Sequence, residues 1–330
     1  MKITKLNEVQ ISNKNKEKEQ FAIDVLTGFT SSPKSLSSKY FYDDYGSQLF
    51  QAITQQEDYY LTNIELNILQ NSKDALPELV QGEEIDIIEL GAGDGHKTKI
   101  LLQGFLDSGF RVNFYPIDIS YEAMNLLNKN IQDSENLFIH GVVGEYIDGL
   151  RYVRSLSQNQ QIVLFLGSNL GNFDMVSSQV FLRKVWKSMN AADYLFTGFD
   201  LKKDVSVLTK AYNDKQGYTR KFNLNLLTRM NNELGANFQL EDFQHFGVYN
   251  PRLGAMESYL LSLKEQTVYI KELERSFNFD AYEPIHLEYS FKFSHKDIAF
   301  LCEQTGYKIK HNFTDEKNYF VNSLWEVVKN

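Results

Sequence analysis

The chain is poor in several things at once, and each shortage excludes something. It has one cysteine, Cys302, so it can form neither an internal disulfide nor a multi-thiolate metal site. Its six histidines are scattered without HExxH or another ligand spacing, so no metal is expected. No apolar run approaches the roughly 20 residues of a spanning helix. Residues 1–20 are rich in Lys, Asn and Glu and lack the apolar stretch of a secretory signal. Positive charge is also short: 34 Lys and Arg against 43 Asp and Glu leave a formal net charge of −9. Such a surface lacks the clustered cations that displace counterions from nucleic-acid phosphates. These absences predict a soluble, cytoplasmic protein with no nucleic-acid or membrane partner; a monomer that handles a small molecule is expected. With five prolines, no repeat and no low-complexity linker, the chain reads as continuously folded. The charge run over residues 14–19 reads as a solvated end or helix face.

What is present is a large apolar supply. Hydrophobic residues make up 42% and aromatics 14% of 330 residues, enough for two lobes. The first strand-like run is 85–90, followed by a helical pattern over 96–106 and a second strand over 111–118. Ser120 is placed to cap a helix whose Ala123, Met124, Leu127 and Ile131 share a face. Further strands are predicted at 137–143, 161–166 and 194–199, and alternation of strands with helices implies a parallel sheet. After residue 200 the rhythm changes, to mostly helix over 205–240 and strands joined by turns over 248–270. The α/β pattern then returns. Ser294 to Asp297 resembles a capping box, Gly306 is placed to end that helix, and 307–313 with 319–328 make a final antiparallel pair. The predicted core, 62–200 plus 289–330, is thus interrupted by a second, substrate-binding lobe of 1–61 plus 201–288.

The strongest chemical signal is Glu89-Leu90-Gly91-Ala92-Gly93-Asp94-Gly95, with Asp118 at the end of the next strand. Glycines there permit positive φ and close approach of backbone to a ligand, and Asp118 suits a ribose diol. A dinucleotide fingerprint would place the third glycine one residue later and its acid nearer. A phosphate-binding P-loop fails because His96 separates Gly95 from Lys97. S-adenosylmethionine fits better, since an acidic lead-in suits a cationic sulfonium and a ligand without phosphate.

With these residues in view, the sequence resembles the histidine-specific Nα-methyltransferases of the ergothioneine pathway, from about Ser31 to Trp325. The resemblance lies in Pro33-Lys34-Ser35-Leu36, in Tyr42-Asp43-Asp44-Tyr45-Gly46-Ser47-Gln48-Leu49-Phe50 and in Glu57-Asp58-Tyr59-Tyr60. It continues in Phe165-Leu166-Gly167-Ser168-Asn169-Leu170-Gly171-Asn172, Ala211-Tyr212-Asn213-Asp214, Phe222-Asn223-Leu224-Asn225-Leu226-Leu227 and Glu288-Tyr289-Ser290-Phe291-Lys292-Phe293.

The resemblance implies a Rossmann-like class I methyltransferase fold and trimethylation of the α-amino group of L-histidine to hercynine. By motif position it assigns Gly91, Gly93, Gly95, Lys97, Asp118, Glu145 and Tyr146 to the cofactor. Tyr59, Gly167, Asn172, Tyr212, Glu288 and Ser290 would hold the amino acid, and Tyr42 would sit beside its amine, acting with Tyr212 in catalysis. One departure concerns the substrate. The family often has Glu-Met in the strand lining the imidazole pocket, where this chain has Glu257-Ser258. The same chemistry on tryptophan or a histidine derivative therefore stays open; separate alternatives are an idle S-adenosylmethionine-binding protein and a nicotinamide dehydrogenase.

Overall fold

A computed structural model describes residues 1–6 and 13–329, and the side chains from residue 17 onward in the first helix. Lys14 and Lys16 of the predicted charge run thus lie outside the described side chains. The chain divides into two units, Met1–Glu8 with Leu61–Lys202 and Lys292–Asn330, and Val9–Tyr60 with Lys203–Phe291.

The first unit is built on an eight-stranded sheet. Its spatial order is Lys2–Lys5, Leu137–Val143, Arg111–Asp118, Glu84–Leu90, Gln161–Phe165, Tyr194–Asp200, Phe320–Val327, Tyr307–Thr314. The first six are mutually parallel, and the last two run antiparallel to their neighbours. The central strands are mostly apolar and are buried on both faces after Glu84, as crossover helices require. The chain steps outward from Glu84–Leu90 in one direction, then returns to Gln161–Phe165 and builds the other way. That reversal is a topological switch point, where ligands bind outside the carboxyl ends of open α/β sheets. The loops at residues 91–95 and 167–172 follow the two strands that flank it.

Several local expectations hold here. Ser120 accepts from the Ala123 amide, and Ser294 with Asp297 forms a complete capping box. One does not: the first strand is Lys2–Lys5, which pairs with Leu137–Val143 and places the amino terminus in this unit, not in the second lobe. Lys-Ile-Thr-Lys has too little apolar character to stand out as a strand, and only the sheet edge it joins makes it one.

The second unit pairs helices with a four-stranded sheet ordered Lys34–Ser35, Pro284–Phe291, Ala255–Ser262, Phe243–Asn250. Its core gathers Phe21, Val25 and Phe29 of the helix Asn13–Thr30, and Phe222, Leu226, Leu227, Met230 and Leu234 of the helix Tyr218–Leu234. Leu260 and Ile285 meet them from the sheet. A separate hairpin, Gln266–Ile270 with Arg275–Phe279, adds Phe277 and Phe279, whose rings pack edge-on against Phe29 at 5.4 Å. The region expected as strands over 248–270 thus begins earlier, at Phe243, and the sheet continues to Phe291. No described helix is long and apolar enough to cross a membrane.

Candidate active site

The glycine loop is held from below. The Gly91 amide donates to the Ile117 carbonyl at 2.9 Å, and the Gly93 amide donates to an Asp118 carboxylate oxygen at 3.2 Å. Asp118 also accepts from the Ser120 amide at 2.9 Å, so its carboxylate is tied to the glycine loop on one side and to the cap of the next helix on the other. Burial nevertheless keeps its pKa above the ordinary value, against the lowering by these amides. Gly91 has φ of 73°, and a side chain there would come within 2.9 Å of the Tyr146 hydroxyl. Gly93 has φ of 53°, with nothing within 4 Å of where its Cβ would lie. The first glycine is required by a neighbour, and the second leaves open space beside the loop.

Beneath the loop lies Glu89, 4% exposed, with one oxygen that has no hydrogen-bond partner. Burial pushes its pKa up to about 8, opposed by nearby Lys97. Without a full counter-charge the buried carboxyl holds its proton, and a nearby cation would favour its ionised form; the open space at Gly93 gives backbone access. These observations fit a sulfonium nucleoside. Tyr146 opens the helix Tyr146–Leu156, its ring 5.9 Å from that of Phe165, and burial raises its phenol to about 12. Glu145, just before it, is exposed and makes no capping bond with its side chain.

Lys97, near the start of the helix His96–Asp107, is paired at 2.6 Å with Glu65 of the helix Tyr60–Ser72. Sequence reasoning passed over Glu65. Its signal was there: Leu61, Glu65, Ile68, Leu69 and Ser72 form one buried helical stripe, with a carboxylate where an apolar residue is expected. Gly167, at φ of 80°, gives its amide to both Glu65 oxygens, at 2.9 and 3.0 Å. Its N–H is therefore engaged by protein, and what it can offer a ligand is its carbonyl and its missing side chain. A Cβ at Gly167 would sit 3.4 Å from the Lys97 ammonium nitrogen. Asn172, the last residue of the 3-10 turn Asn169–Asn172, is exposed.

In the second unit, one face of the four-stranded sheet collects the other assigned residues. Antiparallel register sets Ile285 opposite Leu260, Glu288 opposite Ser258 and Ser290 opposite Met256. Directly opposed residues share a face, and so do alternate residues along a strand. Glu288, Ser290 and Ser258 therefore extend the face that begins in the core with Ile285 and Leu260. This works because of a β-bulge between His286 and Glu288. Without the extra residue, Glu288 would fall on the opposite side from Ile285. Glu257, one position from Ser258, points to the other face, where it accepts from the Tyr259 hydroxyl and, at 2.8 Å, from Asn250.

Tyr212, 9% exposed after the helix Val205–Ala211, donates its hydroxyl to Ser290 at 2.6 Å. Its loop packs against Gly247, which pairs with Ser258; a Cβ there would meet the Tyr212 carbonyl at 3.0 Å and the Asn213 amide nitrogen at 2.9 Å. Gly247 is a second residue that sequence reasoning missed, because its need arises only from this packing. Tyr42 is exposed, its ring edge-on to Phe50 at 5.6 Å and Phe222 at 5.5 Å. Tyr59 packs on the same Phe50 ring at 6.3 Å. The turn after Tyr42 is fixed by Asp43, which accepts from the Gly46 amide and from Asn225, each at 2.7 Å. Among the described residues no group of three or more His, Cys, Asp or Glu could hold a metal ion.

Comparison with known proteins gives this geometry its family. Residues 21–327 match the family described as histidine-specific methyltransferase, SAM-dependent. The chain is 32% identical to a histidine N-alpha-methyltransferase of Mycolicibacterium smegmatis over 303 residues, covering 91% of this chain and 93% of that protein. It is 32% identical over 302 residues to the protein of the same name from Mycobacterium tuberculosis, again 91% and 93% of the two chains. Against ergothioneine biosynthesis protein 1 of Neurospora crassa it is 29% identical, covering 88% of this chain and 33% of that larger protein. A doubly wound sheet, a glycine loop over a buried acid and a match spanning nearly the whole sequence lead to one assignment: the chain belongs to the S-adenosylmethionine-dependent, histidine-specific methyltransferase family.

Proposed function

We propose that this chain methylates the α-amino group of L-histidine, up to the trimethyl betaine hercynine, acting in the cytoplasm as a monomer. The observation that carries the reading is the polar patch at the end of the second unit's sheet face, Glu288 beside Ser290, with Tyr212 on Ser290. An imidazole ring asks for an acceptor for its N–H and a hydroxyl for its other nitrogen. Glu288 and Ser290 have that chemistry, and a site built around such bonds rejects a substrate lacking them by about 10⁴.

The first unit is then the cofactor-binding core and the second the substrate lobe. In the core, Asp118 takes the ribose, the loop of Gly91, Gly93 and Gly95 binds the nucleoside with open space at Gly93, and Glu145 and Tyr146 flank the adenine. Lys97 takes the methionine carboxylate. When bound, S-adenosylmethionine supplies a methyl group activated on a cationic sulfur. The chain's own work is to hold the amine neutral and in line, and to exclude water. Tyr42 and Tyr212 orient the nitrogen and help remove its protons, and tyrosine faces stabilise its growing charge by about 0.5–2 kcal/mol. Tyr59, Gly167 and Asn172 hold the amino-acid end, and Ser258 lies beside the ring.

The test is a mass-spectrometric screen of the pure protein with S-adenosylmethionine and a mixture of common amino acids. Histidine gaining successive methyl groups up to the trimethylated product is the expected result. Methylation of tryptophan or another amino acid instead would leave the cofactor roles standing and remove the ring assignments of Glu288, Ser290 and Ser258.

A further inference from the structure

Glu65 holds together four parts of the core. It lies on the helix Tyr60–Ser72, 1% exposed, under the sheet's carboxyl edge. One oxygen accepts from the Gly167 amide at 2.9 Å and from the Asn322 side-chain amide at 3.0 Å. The other accepts from Gly167 at 3.0 Å and from the Lys97 ammonium at 2.6 Å. Room for it is made by Gly198, the register partner of Asn322: a Cβ at that position would stand 2.6 Å from the carboxylate. Each group that meets Glu65 is a donor, so both of its oxygens must accept. A buried carboxylate with this many donors, placed where a leucine would pack, is not explained by stability alone; a hydrophobic residue of similar volume often serves as well.

We infer that Glu65 is a positioning residue of the cofactor site. It fixes the Lys97 ammonium beside the Gly167 turn and takes one of its three N–H donors, leaving the others for the carboxylate of the cofactor's amino-acid moiety. The inference rests on the assignment of Lys97 to that carboxylate and deepens it. Lys97 by itself is a flexible stem; pinned at its tip it becomes a fixed donor, so less freedom is lost when the ligand binds.

Two probes separate this role from a structural one: S-adenosylhomocysteine, which carries the amino-acid moiety, and 5′-methylthioadenosine, which lacks it. Glu65→Gln turns one acceptor into an NH₂ group facing other donors, and the lysine is displaced. Calorimetry on the full chain is expected to show S-adenosylhomocysteine weakened about tenfold or more, and 5′-methylthioadenosine by less than about twofold. Equal losses for both probes, unchanged affinity or tighter binding of S-adenosylhomocysteine would overturn the inference. Lys97→Met locates a failure: if it leaves S-adenosylhomocysteine binding intact, the assignment of Lys97 falls and the inference with it. If it weakens binding while Glu65→Gln does not, only the role of Glu65 falls. Should Glu65→Gln not fold, nitrogen NMR of the lysine ammonium groups in the unmodified protein decides. A restrained, slowly exchanging Lys97 is expected, and one as freely rotating as surface lysines overturns the inference.

Discussion

The eight-stranded sheet and the four-stranded sheet place their polar groups by different means. In the first, the groups stand at strand ends, in loops shaped by glycines and held by backbone amides, as at Gly91, Gly93 and Gly167. What lies along the central strands Glu84–Leu90 and Gln161–Phe165 is mostly apolar and buried, with Asp86, Glu89 and Gln161 the buried polar exceptions. In the second, Ser258, Glu288 and Ser290 lie along the strands themselves, and only register and one bulge decide which face they take. The first design concentrates its dependence on a few intolerant positions. The second spreads it over the alignment of a whole strand pair, which is easier to drift and so a natural place for specificity to change.

The sharpest way to break this contrast is Glu288→Ala. Selectivity for histidine over an analogue without a ring N–H is expected to fall by about 10⁴ in competition assays, with cofactor affinity unchanged. Full selectivity in the variant would take Glu288 out of ring recognition. Next in size is Gly91→Val, the counterpart in the parallel sheet. A valine at φ of 73° costs about 1–2 kcal/mol in backbone strain and must displace the Tyr146 hydroxyl. Cofactor binding, followed by calorimetry, is expected to weaken about 10- to 100-fold.

A smaller effect concerns Glu89 and pH. Its folded pKa of about 8 lies above the ordinary 4.5, because burial disfavours the charged form. Between these values the unfolded chain has released the proton and the folded one retains it. Stability is thus complete below about 4.5 and declines as pH rises toward 8. Glu89→Gln removes that decline, so its melting temperature relative to the parent should rise from pH 5 to pH 8 (measured without cofactor). A constant difference across that range would mean that Glu89 does not retain its proton. The smallest change is expected from Glu145→Ala, since the side chain is exposed and caps nothing. Stability should move by no more than about 0.5 kcal/mol in a denaturant titration.

How much of this could be read beforehand follows the same division. The core strands were legible because buried parallel strands are mostly apolar, and the glycine loop because few residues other than glycine accept its φ values. Ser120, Ser294 and Gly306 gave their helix ends away by local chemistry. Lys2–Lys5 was not legible, being a strand only by virtue of its neighbour. Gly247 lay just outside the strands expected from 248 and carried no signal, since the loop that needs the space is 34 residues away in sequence. Glu65 left a mark on its helical stripe, but its three donors, Lys97, Gly167 and Asn322, come from segments as far away as Asn322.

The sequence by itself determined the sheet, the loop chemistry and the family, because those rest on local rules: burial period, permitted φ and capping. Tertiary structure alone decided that Glu288 and Ser290 share a face with Ser258 and that Glu257 turns away. It also decided that the Gly167 amide is spent on Glu65. A bulge shifts alternation by one residue, and a buried carboxylate is satisfied only by whichever donors folding brings to it.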